Sequence, residues 1–318
     1  MTIDEVKGLA GAIRAEIAKA VIGQADTVDL LLTALFAGGH ILLEGPPGTA
    51  KTLLAQCFAR SLELQFGRIQ FTPDLMPGDI IGTNLFNFQS SSFRLTKGPI
   101  FCELLLADEI NRTPPKTQAA LLEAMQERQV TIDGTPHSLG DRFMVVATQN
   151  PIEQQGVYPL PEAQLDRFLF KHVLAYPTRE QEEAIVLQHG ARVGAPDPEA
   201  LGVSRAADRK AIDAAAETVA AVRLTPEIAG YVTSLVRATR EAADFEAGAS
   251  PRAAAMLATS ARARAAIEGR DYVLPDDVKA LALPALRHRV ILSPAAEIEG
   301  RRVDEALTAL IDRVEAPR

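Results

Sequence analysis

Residues 45–52 read GPPGTAKT, directly after the apolar run 40–44 (HILLE) and directly before a helical pattern over 52–62. No other stretch constrains the fold as tightly. A short apolar run halted by Gly45 and Pro46 reads as a buried strand. A glycine-rich turn between a strand and a helix aims backbone N–H groups and the helix N-terminus at one point, which suits a phosphate. Lys51 can reach β- and γ-phosphates there, and the Thr52 hydroxyl can ligate Mg²⁺. Gly45, Pro46, Pro47, Gly48, Thr49, Ala50, Lys51 and Thr52 are therefore the candidate nucleotide cradle. Ala50 stands where glycine usually precedes the lysine, and its methyl is tolerable if the backbone stays helical.

Two more apolar runs end in polar residues. Residues 104–112 read LLLADEINR, a strand closing on two carboxylates. Strand-end carboxylates sit at the sheet edge where doubly wound folds bind ligands. Asp108 is the candidate to hold Mg²⁺ through water, and Glu109 to orient and polarise an attacking water. Residues 143–151 read FMVVATQNP, where Asn150 either contacts the γ-phosphate or lytic water or caps the turn before Pro151. A fourth strand is expected at 168–173, with helices at 3–19 and 24–37. Apolar strands separated by helices predict a parallel α/β sheet. Two hairpins interrupt the alternation, at 84–96 and at 129–139, the second turning at Asp133-Gly134. The sheet does not need them to close, so they are candidate appendages, and the 129–139 tip is a candidate working face.

After Tyr176-Pro177 the chain turns rich in Ala, Leu, Val, Glu and Arg. A loop is expected at 192–198, then helices at about 204–222, 226–241, 251–267, 275–286 and 299–314. The expected division is an α/β core over 1–177 and an all-helical lid over 178–318.

A formal net charge of -8 argues against broad nucleic-acid binding, which needs clustered Lys and Arg. The hairpin at 129–139 carries no Lys or Arg, which argues the same way. No stretch is apolar enough to span a membrane, and the start lacks a signal-peptide pattern. Cys57 and Cys102 read as buried free thiols, so the cytoplasm is the expected compartment. The five histidines show no metal-ligand spacing.

GPPGTAKT, LLLADEINR, TPPKTQAALLEAMQERQVTIDG and ATQNPIEQQGVYPLPEAQLDRF, in this order, resemble the MoxR family of AAA+ ATPases, as do VIGQ at 21–24 and GASPRA at 248–253. The resemblance runs from about 20 to 310. It implies an ATP- and Mg²⁺-dependent P-loop AAA+ core with inserted hairpins and an all-α lid. It implies a homo-oligomeric ring, most often hexameric, that remodels a partner, often a protein with a von Willebrand factor A domain. It implies Asn150 as a sensor, Arg167 as the arginine finger reaching a neighbour's nucleotide, and Arg252 as a second sensor reporting to the lid. Val21, Ile22 and Gly23 would lie near the adenine. Arg112, Arg128 and Arg142 compete with Arg167, which could instead pair with Asp166. A nucleic-acid or chelatase-type motor subunit is the alternative, since such motors carry similar inserts.

Overall fold

The computed structural model describes residues 1–89, 91–151, 157–191, 194 and 196–317. Residues 152–156 of the long motif and part of the loop expected at 192–198 lie outside them.

The chain opens with α1 (Ile3–Ala18) and α2 (Ala25–Phe36). Then come β1 (Ile41–Glu44), α3 (Lys51–Ser61), β2 (Phe66–Gln70) and α4 (Pro77–Ile81). The hairpin β3 (Gly82–Asn87) and β4 (Ser92–Lys97) follows, then β5 (Leu104–Asp108) and α5 (Pro115–Glu127). A second hairpin, β6 (Gln129–Ile132) and β7 (Thr135–Ser138), precedes β8 (Met144–Gln149), α6 (Glu162–Leu165) and β9 (Phe170–Val173). Beyond β9 run α7 (Arg179–His189), α8 (Arg209–Ala221), α9 (Pro226–Glu241), β10 (Phe245–Ala247) and α10 (Pro251–Ile267). The chain finishes with α11 (Pro275–Leu286), β11 (Ile291–Leu292), α12 (Pro294–Ile298) and α13 (Val303–Arg313).

Five strands form one parallel sheet in the order β2-β5-β8-β1-β9, and both hairpins stand outside it. Alternate side chains serve opposite faces, as the two-residue period of a strand requires. Leu104, Leu106, Met144 and Val146 enter the core shared with α1, α2, α3 and the lid helices. Leu105, Ala107, Val145 and Ala147 enter the core under α5. Burial on both faces explains why these strands read as continuous apolar runs.

Several elements were not expected from the sequence, among them β2, α7 and the β10–β11 pair. The edge strand β2, FGRIQ, buries only Ile69 and so lacks an apolar signature. Its Gly67 is required, since a Cβ there would sit 2.7 Å from the Pro99 carbonyl oxygen. Helix α7 buries no residue and shows only its Thr178 capping box. The small β10–β11 pair interrupts a region expected to be all helix. Two lid helices also start later than predicted, at Arg209 and Val303, each preceded by extended backbone at the cap. Among the described residues, no helix is long and apolar enough to cross a membrane.

Candidate active site

Because β1, β5 and β8 are parallel neighbours, their C-terminal ends converge on one edge of the sheet. The chain leaves β1 there, turns through residues 45–50 and enters α3 at Lys51. The Lys51 ammonium folds over this turn, donating to the carbonyls of Gly45 (2.9 Å) and Pro46 (2.8 Å). Burial holds its pKa below the usual lysine value, while Asp108 and Glu109 pull it back up. Ala50 departs from expectation: its φ of 59° and ψ of 21° are left-handed, the conformation glycine adopts without penalty.

Asp108 ends β5 and is nearly buried. Its Oδ1 accepts from Thr148 Oγ1 at 2.7 Å, and its Oδ2 from Arg68 Nη2 at 2.9 Å. Thr52 Oγ1 lies 3.4 Å from the same Oδ2. Thr148 also accepts the backbone N–H of Glu109 at 2.9 Å, so one hydroxyl on β8 fixes both acidic residues. Glu109 adopts a left-handed φ of 56°, which ends the strand and turns the chain. Its carboxylate accepts from Gln70 and Arg112, each at 2.9 Å. Asn150 follows β8 and is nearly buried; the preceding residue, Gln149, accepts from Gly45 N at 3.3 Å, which puts Asn150 beside the start of the loop.

A cavity of about 440 Å³ adjoins the turn, bounded by Val21, Ile22, Thr49, Ala50, Leu53 and Ile185 among others. Its apolar walls suit a flat base. Gly23 does not line it. At a φ of 79°, Gly23 packs on α7, and a Cβ there would meet Gln181 Oε1 at 2.6 Å.

The two expected arginines stand elsewhere. Arg167 precedes β9 at the edge where the strands begin, and Leu169 N donates to His40 O there at 2.8 Å. Asp166 does not pair with Arg167; it binds Arg289 at 2.7 Å. Among the described residues Arg167 has no ion pair, whereas its competitors are engaged. Arg112 holds Glu109 (2.9 Å), Arg142 holds Glu103 (3.0 Å) and Asp213 (2.6 Å), and Arg128 donates to the carbonyls of Gly38 and Asp141. Arg252 is exposed in the first turn of α10, about one turn before Met256, whose sulfur accepts from Arg289 Nη2 at 3.2 Å, so this end of α10 faces the Arg289 side of the core. Helix α10 packs on α1, α2, α8, α9 and α11.

A family profile described as the ATPase family associated with various cellular activities (AAA) matches residues 40–170, and an AAA lid domain profile matches 237–310. Chaperone MoxR1 of Mycobacterium tuberculosis is 44% identical over 287 residues, covering 87% of this chain and 74% of that protein. The chain belongs to the MoxR family of AAA+ ATPases. The uncharacterized protein YeaC of Bacillus subtilis is 41% identical over 315 residues, 99% of this chain and 97% of that one. A crystal structure from Cytophaga hutchinsonii superposes with a TM-score of 0.89 at 40% identity, covering 98% of this chain and 96% of that one.

Within this MoxR-family site, sequence reasoning missed Arg68, Gln70 and Thr148. Thr148 stood inside the ATQN segment, where a hydroxyl one residue from the strand end was a usable signal. Arg68 and Gln70 lie on the unrecognised strand β2, so nothing local marked them.

Proposed function

We propose that this chain hydrolyses ATP as one subunit of a closed, six-membered homo-oligomeric ring and uses the cycle to remodel or activate a partner protein in the cytoplasm. The observation that carries this reading is the convergence of the 45–52 loop, Asp108, Glu109 and Thr148 at one sheet edge while Arg167, with no ion pair among the described residues, stands at the other. A site with its positive finger on the far side is completed by a neighbour in a head-to-tail ring.

In this reading Gly45–Thr52 cradle the phosphates and Lys51 exchanges its loop carbonyls for phosphate oxygens. Val21 and Ile22 face the adenine. Glu109 polarises the attacking water, and Asn150 holds it or the γ-phosphate from the β8 side. The hard oxygens of Thr52 and Asp108, 3.4 Å apart, suit Mg²⁺ shared with phosphates. When bound, that ion neutralises charge on the phosphate oxygens. Arg167, and with it Arg252, reaches the nucleotide of the adjacent subunit. The free thiols Cys57 and Cys102, whose pKa values burial pushes to about 12, fit a reducing compartment. We divide the chain into a core over 1–177 and a lid over 178–318. The resemblance to MoxR proteins supports a partner with a von Willebrand factor A domain.

Mixing Arg167→Ala with Lys51→Ala subunits tests the ring. Each is inactive alone, and the mixture regains turnover because one interface type has both an intact loop and an intact finger. Co-assembled mixtures that stay inactive contradict a finger acting in trans.

A further inference from the structure

Arg289 is a charged side chain withdrawn almost wholly from water, with 2% of it exposed. A buried guanidinium is tolerated only where its donors are filled. Here Nε donates to Asp166 Oδ1 at 2.7 Å. Nη2 donates to the carbonyls of Asp166 (3.0 Å) and Phe168 (2.6 Å), and Nη1 to those of Leu169 (3.2 Å) and Ala285. Three of the four carbonyls belong to residues flanking Arg167. The neighbouring His288, held neutral by burial, donates from Nε2 to Phe168 O at 3.0 Å as well.

Arg289 and His288 come from the segment between α11 and β11, whereas 166–169 links α6 to β9 in the sheet-bearing core. The clasp therefore joins the C-terminal helical region to the backbone that carries Arg167. Only a planar fork with five donors can hold several carbonyls and a carboxylate together, and a lysine cannot.

We infer that Arg289, with Asp166, is the positioning residue for Arg167: it fixes the backbone on both sides of the finger and ties the finger's aim to the helical lid. The inference rests on the trans-finger reading above. A small misplacement of a group that stabilises the transition state is enough to lower turnover steeply.

The test uses full-length Arg289→Lys and Asp166→Asn, with Arg289→Met if it folds. Turnover falls at least about tenfold while the ATP Kd stays within about twofold, since the loop is untouched. Mixing Arg289→Lys with Lys51→Ala restores turnover, and mixing it with Arg167→Ala does not, because both then lack a working finger. A defect elsewhere in the subunit would not sort into this class. Hydrogen exchange is independent of the ring: amides over 166–170 exchange at least about tenfold faster in Arg289→Lys while β5 stays protected. Wild-type turnover, weakened ATP binding, or unchanged exchange over 166–170 overturns the clasp. If the Arg167→Ala and Lys51→Ala control fails to complement, the trans reading falls, and the exchange measurement alone decides the clasp.

Discussion

Asn84 Nδ2 donates to Asp133 Oδ2 across 2.8 Å, so the turn of the β6–β7 hairpin is tied to the first strand of the β3–β4 hairpin. The two appendages, separate in sequence, make one unit. What stays open to solvent is aromatic: Phe88 is 86% exposed and Phe93 72%, and both flank Phe86 at ring distances of 5.2 Å. Clustered exposed aromatics mark interaction surfaces. If the ring acts on a protein partner as proposed, replacing Phe88 and Phe93 by Ser leaves basal ATP turnover within about twofold and lowers stimulation by that partner at least about tenfold. Partner-stimulated phosphate release checks this. Stimulation that survives there but is lost on replacing residues 132–135 by a Gly-Ser turn moves the contact to the other hairpin.

Ala50 carries a left-handed φ of 59° in the phosphate loop. For an L-residue this costs roughly 1–2 kcal/mol, while glycine's extra unfolded-state freedom costs about 0.5–1 kcal/mol. Ala50→Gly therefore stabilises by between about 0 and about 1.5 kcal/mol and keeps ATP binding. Ala50→Val crowds the same backbone and destabilises by more than about 1 kcal/mol. Chemical denaturation of the two variants distinguishes them, and equal stability would show that the loop relaxes away from this conformation.

His40 links two elements at the start of β1. Nδ1 accepts from Val145 N and Nε2 donates to Met125 O, both at 3.0 Å, which only a neutral ring can do. Burial lowers its pKa from 6.5 to about 4. The folded pKa lies below the unfolded one, so the unfolded chain binds more protons as pH falls. The stability is complete above pH 6.5 and is lost progressively down to about 4. The loss is on the order of 3 kcal/mol from this residue. Neutral His288 adds to it in the same direction. Denaturation of wild type and His40→Gln at several pH values shows their stability gap narrowing towards acid pH; a constant gap contradicts the assignment.

Much of the site was legible because it is written in contiguous runs. A buried parallel strand announces itself as HILLE or LLLAD, and the residues just after it fall at the ligand edge. The strand β2 was not legible, because an edge position leaves Arg68 and Gln70 polar. The ties from Arg68 and Thr148 to Asp108 span 40 residues each and depend on strand order, which no local pattern encodes. The place of Arg252 was out of reach for a related reason: SPRA marks a helix start, but only the packing of α10 on α1 and α2 fixes which side of the core it faces. Arg289 gave no signal at all, since a basic residue after a helix ordinarily reads as solvated.

Glu109 carries the central claim. Its carboxylate already has two donors, Gln70 and Arg112, and its backbone is fixed by Thr148. Glu109→Gln keeps the shape and removes the charge that, in the proposed function, polarises the attacking water. Calorimetric ATP binding and steady-state phosphate release, measured on the same preparation, test it directly. The account predicts an ATP Kd within about twofold of wild type and turnover lowered at least about 100-fold. Wild-type turnover in a folded Glu109→Gln protein would contradict it.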